Sequence, residues 1–220
     1  MRVLVLCDDN WHPSHVVKEG LEPLKQYGFE FQYVLETGDE FRQHVGERLW
    51  GFPLLVLAKS NRVSAEEENP WITPDVEREL QSYVNRGGSM LVLHSGTVGY
   101  MDSAGMRELV GGVFTHHPEP CPVTLEPILG HPISAGIKGF TVKDEHYFVD
   151  ETEPGDKTVF LFTSSEHGRQ PGGWTREQGN GRVCVLTPGH NAQVWLHPVY
   201  QQLLKQSLEW CGRGLQGREA

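Results

Sequence analysis

The sequence lacks a long apolar run and an excess of positive charge. Its apolar opening, residues 1–7, is too short for a membrane span or a signal peptide and has no cleavage region. Lysine and arginine number 19 against 29 acidic residues, so the formal net charge is −10. A nucleic-acid binder would carry a basic face, and an anionic lipid surface would repel this chain. We therefore expect neither nucleic acid nor membrane as a partner.

Cysteine is scarce, and several sequence signatures of known sites are absent. No CxxC pair occurs, so we expect reduced thiols and a cytoplasmic location. No GxGxxG or GxxxxGK[ST] cradle is present for a dinucleotide or a triphosphate. The segment Leu93-His94-Ser95-Gly96 has leucine where a G-x-S-x-G nucleophile elbow needs its first glycine. The four cysteines lie far apart, at Cys7, Cys121, Cys184 and Cys211.

Short apolar strands alternate with amphipathic helices along the N-terminal half. Helices are predicted from Ser14 to about Tyr27, from Thr73-Pro74 to Gly87, and from Pro198 to Cys211. Strands that are apolar on both faces indicate a parallel sheet covered on both sides, with an antiparallel hairpin near the C-terminus. We expect one domain over residues 1–220, with a frayed tail at about 213–220. The predicted strands are Val3–Leu6, Phe29–Leu35, Leu54–Leu57, Met90–Leu93, Val123–Glu126, Thr158–Phe162, Gly173–Thr175 and Arg182–Leu186.

Polar residues follow the apolar strands, where ligands bind in open parallel sheets. If these strands run parallel, an acid, an amine and at least two imidazoles meet at one edge. Other interpretations stay open: the aspartates cap a turn, the lysine is solvated, and the histidines tie loops. The residues concerned are Asp8, Asp9 and His12 after the first strand, Lys59 and Ser60 after the third, His94 and Ser95 after the fourth, and His190 after the last.

A second candidate segment is Lys143-Asp144-Glu145-His146-Tyr147. Alternation along an extended chain places Asp144 and His146 on one side and Glu145 and Tyr147 on the other. A carboxylate near His94 or His190 could orient an imidazole or complete a metal site. A solvated acidic loop is the alternative.

The tryptophans, among them Trp195, suit either the core or a rim that stacks on a sugar ring.

A series of motifs in order makes the chain similar to a known family. They are Gly88–Gly96 with its His-Ser pair, Gly111-Gly112-Val113-Phe114 with His117 nearby, Gly130–Ile137, Asp144-Glu145-x-Tyr147, Trp174 before Gly181-Arg182-Val183, Pro188-Gly189-His190, and the closing helix from Leu204 to Trp210. Together they resemble the ThuA-like (trehalose utilisation) family, over about the whole chain. The resemblance implies a flavodoxin-like three-layer αβα sandwich, as in class I glutamine amidotransferases. His94-Ser95 stands where those enzymes have their nucleophilic cysteine, so the resemblance implies no glutaminase activity.

The resemblance also implies a role in sugar catabolism, where disaccharides are oxidised to 3-keto derivatives. Our hypothesis is an enzyme that transfers a proton next to the carbonyl of a keto-sugar, by isomerisation or elimination. The predicted catalytic residues are His94, Glu145 and His190, with either imidazole as the base. The predicted substrate-binding residues are Asp8, His12, Lys59, Ser95, Tyr147 and Trp195.

Cofactor and partners stay open at this point. The same histidines and glutamate could hold zinc or manganese as a Lewis acid. Three rival functions are a metal-dependent hydrolase of a sugar derivative, a non-catalytic sugar-binding module, and an interaction protein whose histidines are structural. We expect a small sugar as the ligand and a homodimer as the assembly.

Overall fold

The computed structural model of the protein describes residues 1–150 and 157–213. Its strands are β1 (Arg2–Cys7), β2 (Glu30–Val34), β3 (Leu54–Ala58), β4 (Ser89–Leu93), β5 (Val113–His116), β6 (Cys121–Pro127), β7 (Phe140–Asp144), β8 (Phe148–Asp150), β9 (Lys157–Ser165), β10 (Gly168–Gln178) and β11 (Gly181–Leu186). Its helices are α1 (Ser14–Leu21), α2 (Asp39–Gln43), α3 (Val45–Trp50), α4 (Pro74–Asn85), α5 (Ala104–Val110), α6 (Ala192–Trp195) and α7 (Pro198–Arg213).

A nine-stranded sheet in the order β2-β1-β3-β4-β11-β10-β9-β6-β7 forms the middle layer. Its first five strands, from β2 to β11, pair parallel to one another. The carboxyl ends of β1, β3, β4 and β11 therefore meet at one edge, as the sequence pattern predicts. The mostly parallel α/β fold is confirmed.

The other half of the sheet is antiparallel and larger than the single predicted hairpin. β10 pairs with β11 and with β9, and β6 pairs with β9 and with β7, all antiparallel. Three reversals after β10 mean that β7 points in the same direction as the parallel strands. The carboxyl end of β7 thus lies on the side of the sheet where the parallel strands end. A separate two-stranded sheet pairs β5 with β8.

Helices cover both faces of the sheet, which is why its strands are apolar on both sides. One core combines alternate residues of β1 with α1, α6 and α7, and the other combines the intervening residues with α2, α3, α4 and α5. Together they form the three layers of an αβα sandwich.

Of two predicted helices, one begins where the sequence places its start and the other ends earlier than predicted. The predicted start of α4 is confirmed: the Thr73 side chain accepts a hydrogen bond from the Val76 amide, and Pro74 occupies the first helical position. The predicted helix from Ser14 to Tyr27 is wrong in its second half, where residues 22–27 form a 3₁₀ helix. Pro23 lacks the amide hydrogen that an α-helix would use there.

Several short elements were not predicted. They are α2, α3, α5, α6 and the β5–β8 pair. Segments of this length show little periodicity in their apolar residues, so the sequence does not predict them. The predicted tail lies outside the described residues from 214 onward. All four cysteines are free and buried. No helix in the described part of the chain is both long and apolar enough to cross a bilayer.

Candidate functional site

Four ionisable side chains converge at the edge where the parallel strands end. His12 lies in the loop after β1, His94 directly follows β4, and His190 lies in the loop after β11. Glu145 follows β7, whose direction brings it to the same edge. One potential ligand atom from each of the four lies within 4.8 Å of those of the others. The structure therefore brings together the three predicted catalytic residues and adds His12.

His94 is buried and held in one orientation. Its backbone lies in the left-handed region, with φ of 42°, which is uncommon for a residue with a side chain. Its Nδ1 donates to the carbonyl oxygen of Thr187 at 2.7 Å, and its Nε2 lies 3.4 Å from Glu145 Oε2. Burial lowers the pKa of His94 to about 4, although the nearby Glu145 carboxylate acts in the opposite direction. The ring is thus kept neutral, with Nε2 facing the cluster.

Asp9 orients His12. Its Oδ1 accepts hydrogen bonds from the backbone amides of Trp11 and His12 and from Nδ1 of His12, the last at 2.8 Å, and its Oδ2 accepts from the Ser60 amide. Burial alone would raise the pKa of Asp9, but the His12 hydrogen bond and the amides lower it to about 2. With Nδ1 held by Asp9, Nε2 of His12 points to the cluster and lies 3.4 Å from the Tyr147 hydroxyl oxygen.

Asp144 fixes the loop that carries His190. Its carboxylate accepts hydrogen bonds from the backbone amides of Gly189 and His190, at 2.9 and 3.0 Å. Burial raises the pKa of Asp144 to about 6, against the effect of these amides. Nδ1 of His190 lies 3.2 Å from Glu145 Oε2, and this carboxylate raises the pKa of His190. The predicted alternation holds, since Asp144 points to the loop and Glu145 to the cluster.

Glu145 is the shared partner of three imidazoles. Besides His94 and His190, it has His117 Nε2 at 3.6 Å from its Oε1. Burial would raise the pKa of Glu145, but His190 and His94 together lower it well below its usual range. Nε2 of His94 and Nδ1 of His190 are both buried without a hydrogen-bond partner, because neither approach to Glu145 has hydrogen-bond geometry.

A cavity of about 330 Å³ opens directly over this cluster, at the lower end of the range for small-molecule sites. Its wall is aromatic and apolar, and the Trp11 indole at the rim is 67% exposed. The Tyr147 ring stacks on His94, with ring centroids 3.9 Å apart, and also contacts Phe114. The lining residues are Trp11, His12, Val98, Phe114, His117, Glu145 and Tyr147.

Four residues predicted to bind substrate do not line the cavity. Lys59 is completely buried, and its amine donates to the carbonyl oxygens of Leu35 and Val63 and to the Thr37 hydroxyl. Burial lowers the pKa of Lys59 to about 8. We remove Lys59 from the candidate site, because its amine is held by the interior loops.

The other three predicted substrate-binding residues that do not line the cavity are Trp195, Asp8 and Ser95. Trp195 is buried, and its indole N–H donates to the Gly189 carbonyl oxygen. Asp8 accepts a hydrogen bond from the Ser14 amide at the start of α1, which is the capping alternative. Ser95 is buried and does not line the cavity. His12 and Tyr147 are the two predicted substrate-binding residues that do line it.

Asp9, His117, Trp11 and Phe114 belong to this site but are not among the residues predicted to form it. In the sequence, His117 is one of two adjacent histidines followed by a proline, which is a weak signal for a site. Its neighbour His116 instead stacks on Phe148, on the two-stranded sheet. His117 lines the cavity and His116 does not, a difference that their adjacent positions in the sequence do not show.

Comparison with known proteins identifies similar chains. The sequence model of a family described as trehalose utilisation, ThuA, matches residues 2–211. A ThuA-like protein from Bacteroides uniformis is similar in structure, with a TM-score of 0.71 at 18% identity over 96% of this chain and 91% of the other. One from Parabacteroides merdae gives 0.75 at 16% identity over 97% and 90%. A protein from Thermoplasma acidophilum described as a GMP synthase component gives 0.63 at 16% identity over 100% and 98%. No curated protein matches the chain.

Proposed function

This chain belongs to the trehalose utilisation (ThuA) family, and from that premise we propose that it is an enzyme that transfers a proton next to the carbonyl of a keto-sugar. Family membership gives the carbohydrate-related role, and the proposal adds the reaction. One observation carries the proposal: a small aromatic-walled cavity lies directly over a carboxylate shared by three imidazoles.

The reaction needs a base that reaches the substrate. A carbonyl acidifies the neighbouring C–H bond, so a positioned imidazole or carboxylate can remove the proton without a nucleophile or nicotinamide. His117 lines the cavity, and its side chain is 34% exposed against 2% for His94. Its Nδ1 lies 2.8 Å from the Pro118 carbonyl oxygen and donates to it, which leaves Nε2 as the basic nitrogen on the side of Glu145. We therefore assign the base to His117 rather than to His94 or His190, which do not line the cavity. We propose Glu145, which does line it, as the polar group that faces the substrate, with those two imidazoles behind it.

The cavity wall suits a sugar ring. Trp11 at the rim, with Val98 and Phe114 deeper in, offers apolar faces against which the C–H surface of a pyranose can pack. The Tyr147 hydroxyl and Glu145 offer polar groups at the floor, where sugar hydroxyls need partners. We propose these residues, with His12, as the substrate-contacting set.

The same cluster also supports a second candidate, metal-dependent hydrolysis of a sugar derivative. Three imidazoles and a carboxylate with their donor atoms within 4.8 Å resemble the ligand sets that activate water on a metal. The two candidates differ in product: hydrolysis of a keto-glucoside releases the keto-sugar and its aglycone with no exchange at carbon, whereas enolisation exchanges the hydrogen beside the carbonyl. The third alternative, a binding module, requires ligand binding without either change.

Proton NMR in heavy water tests the proposal directly. We expect 3-keto-glucosides to exchange the hydrogen beside the carbonyl for deuterium much faster with the protein than in buffer. His117→Gln should reduce that rate by about 100-fold or more, within the usual range for loss of a general base. His116→Gln is the matched control, because His116 is the adjacent, exposed residue outside the cavity.

Other outcomes point elsewhere. Release of 3-keto-glucose and the free aglycone without exchange favours the hydrolase. Binding of the keto-sugar with exchange no faster than in buffer favours the non-catalytic module. Equal activity of His117→Gln and His116→Gln would remove His117 as the base. The homodimer, the cytoplasmic location and the lack of glutaminase activity remain predictions.

A further inference from the structure

We propose that His12, His94, Glu145 and His190 bind one divalent transition-metal ion of the zinc, cobalt and manganese class at the floor of the cavity. As a statement about catalysis this inference rests on the proposed function, since the ion would be the Lewis acid that faces the carbonyl. As a statement about binding it depends on the geometry alone. The two parts can be measured separately.

The hydrogen bonds of His94 give the first argument. The Thr187 carbonyl oxygen can only accept, so Nδ1 of His94 carries its hydrogen and a neutral ring has a bare lone pair on Nε2. That lone pair faces a Glu145 oxygen, also an acceptor, at 3.4 Å. Two buried acceptors facing each other repel unless a positive charge lies with them. A divalent cation bound between Nε2 of His94 and the Glu145 carboxylate would supply that charge, in a cluster where His94 is only 2% exposed.

His12 repeats this arrangement from the other side. Its Nδ1 lies 2.8 Å from an oxygen of the Asp9 carboxylate, which leaves Nε2 as the nitrogen that faces the cluster. A carboxylate or backbone carbonyl behind the imidazole is the usual support of a metal-bound histidine. Here Asp9 supports His12, and the Thr187 carbonyl supports His94. In both residues the hydrogen bond engages Nδ1, so that Nε2 is the nitrogen that faces the cluster.

Glu145 and His190 complete the set. Nδ1 of His190 is buried and lacks a hydrogen-bond partner, as does Nε2 of His94, and both face Glu145. The imidazole rings of His12, His94 and His190 lie around a common centre. Their centroids are 5.0 to 5.6 Å apart and their planes are inclined to one another by 62° to 84°. This spacing leaves room for one ion between the rings, with the cavity on its open side.

The donor chemistry indicates the class of ion. Three imidazole nitrogens and one carboxylate suit zinc, cobalt, iron or manganese, whereas calcium and magnesium prefer oxygen ligands. Bound there, the ion would polarise a substrate oxygen that enters from the cavity. The ligands are then occupied, and His117, which is outside the set, stays available as the base.

Metal binding to purified, chelator-stripped protein tests the inference without any substrate. We expect about one equivalent of Zn²⁺, Mn²⁺ or Co²⁺ to remain after desalting, measured by inductively coupled plasma mass spectrometry. Co²⁺ should also give d–d absorption bands in the visible range, which report nitrogen and oxygen ligation at one site. His12→Gln, Glu145→Gln and His190→Gln should each weaken binding by about 100-fold or more, and Asp9→Asn by about 10- to 100-fold.

His15→Gln is the matched control for His12→Gln, because His15 is exposed at the start of α1 and outside the cluster. Circular dichroism and the unfolding transition of each stripped variant separate lost ligation from lost structure. Less than about 0.1 equivalent of all three metals in the wild-type protein, or equal binding by His12→Gln and His15→Gln, would overturn the inference. The cluster would then be a metal-free network in which His190 and Glu145 form an ion pair.

The two proposals fail in different ways. One equivalent of metal with no exchange on 3-keto-glucosides leaves the metal site standing and refutes the proposed reaction. Exchange at full rate in stripped protein leaves the reaction standing and refutes the Lewis-acid role of the ion, whereas failure of stripped protein to take up added metal refutes the site itself.

Discussion

Substitution of Asp9 by asparagine should destabilise the protein strongly, even without any ligand. Asp9 is 1% exposed and accepts four hydrogen bonds, three on Oδ1 and one on Oδ2. Asparagine can keep an oxygen at the first position, but its amide nitrogen then faces the Ser60 N–H, which is also a donor. The substitution also removes the negative charge from the hydrogen bond with His12.

The expected magnitude follows from these contacts. A buried donor left without a partner costs about 1–3 kcal/mol, and loss of the charge on the His12 hydrogen bond adds about 1 kcal/mol. We therefore expect the free energy of unfolding of chelator-stripped protein to fall by about 2–4 kcal/mol. For a chain of this size, each kcal/mol shifts Tm by about 2–4 °C, so Tm should fall by about 4–16 °C.

Chemical denaturation and differential scanning calorimetry of the stripped protein measure this effect. Asp8→Asn is the matched control, because Asp8 accepts a single bond from the Ser14 amide, which an amide oxygen can also accept. Its backbone φ of 89° is in the left-handed region, which asparagine tolerates as well as aspartate. We expect Asp8→Asn to change stability by less than about 1 kcal/mol. If Asp9→Asn is as stable as Asp8→Asn, the hydrogen-bond argument for the orientation of His12 is refuted.

Four further predictions concern other parts of the molecule. Gly181→Ala should lower the unfolding free energy by about 2 kcal/mol or more, because an added Cβ would clash with the Val84 carbonyl oxygen; unchanged denaturant midpoints would contradict this. Lys59→Met should cost about 1–3 kcal/mol in the same assay, since the Leu35 carbonyl oxygen and the Thr37 hydroxyl lose the Lys59 donor, whereas the Val63 carbonyl oxygen keeps the amide and hydroxyl of Thr37. An equally stable variant would contradict this structural role of the Lys59 amine. Iodoacetamide at pH 8 should leave Cys7 unmodified in native protein and alkylate it after denaturation, because burial raises its pKa to about 12; rapid native labelling, read by mass spectrometry, would disprove this. Trp11→Ala should raise KM for a keto-glucoside about tenfold with little change in kcat, because the indole would contact the sugar ring away from the reacting carbon. A fall in kcat alone would contradict that role.

The parallel half of the sheet was predictable because its signals are local. Four short apolar strands, each followed by polar residues, are visible in the sequence, and parallel pairing is what makes their ends meet. His94 and His190 could therefore be placed at one edge before any coordinates. The sequence predicted His12 as a substrate contact and did not show that it belongs to the cluster. Asp9 engages Nδ1 of His12, and so leaves Nε2 for the cluster, only once the loop has folded.

The antiparallel half was predictable only in part. Glu145 lies beside His94 and His190 because the strand direction reverses at each step from β11 through β10, β9 and β6 to β7, so that β7 returns with its carboxyl end at the same edge. A hairpin signal predicts one reversal, from the turn residues between two strands. The other pairings join strands that are distant in sequence, and no local pattern encodes them.

The sequence by itself determined the layered α/β architecture and which polar residues end the parallel strands, because alternation, capping and turn residues act over a few positions. Tertiary structure alone decided which way each polar side chain faces. Lys59 turns into the interior since three loop oxygens surround it there, and His117 reaches the cavity while His116 does not. The physical reason is that an ionisable group takes its role from its partners and its burial, and both are supplied by segments far away along the chain.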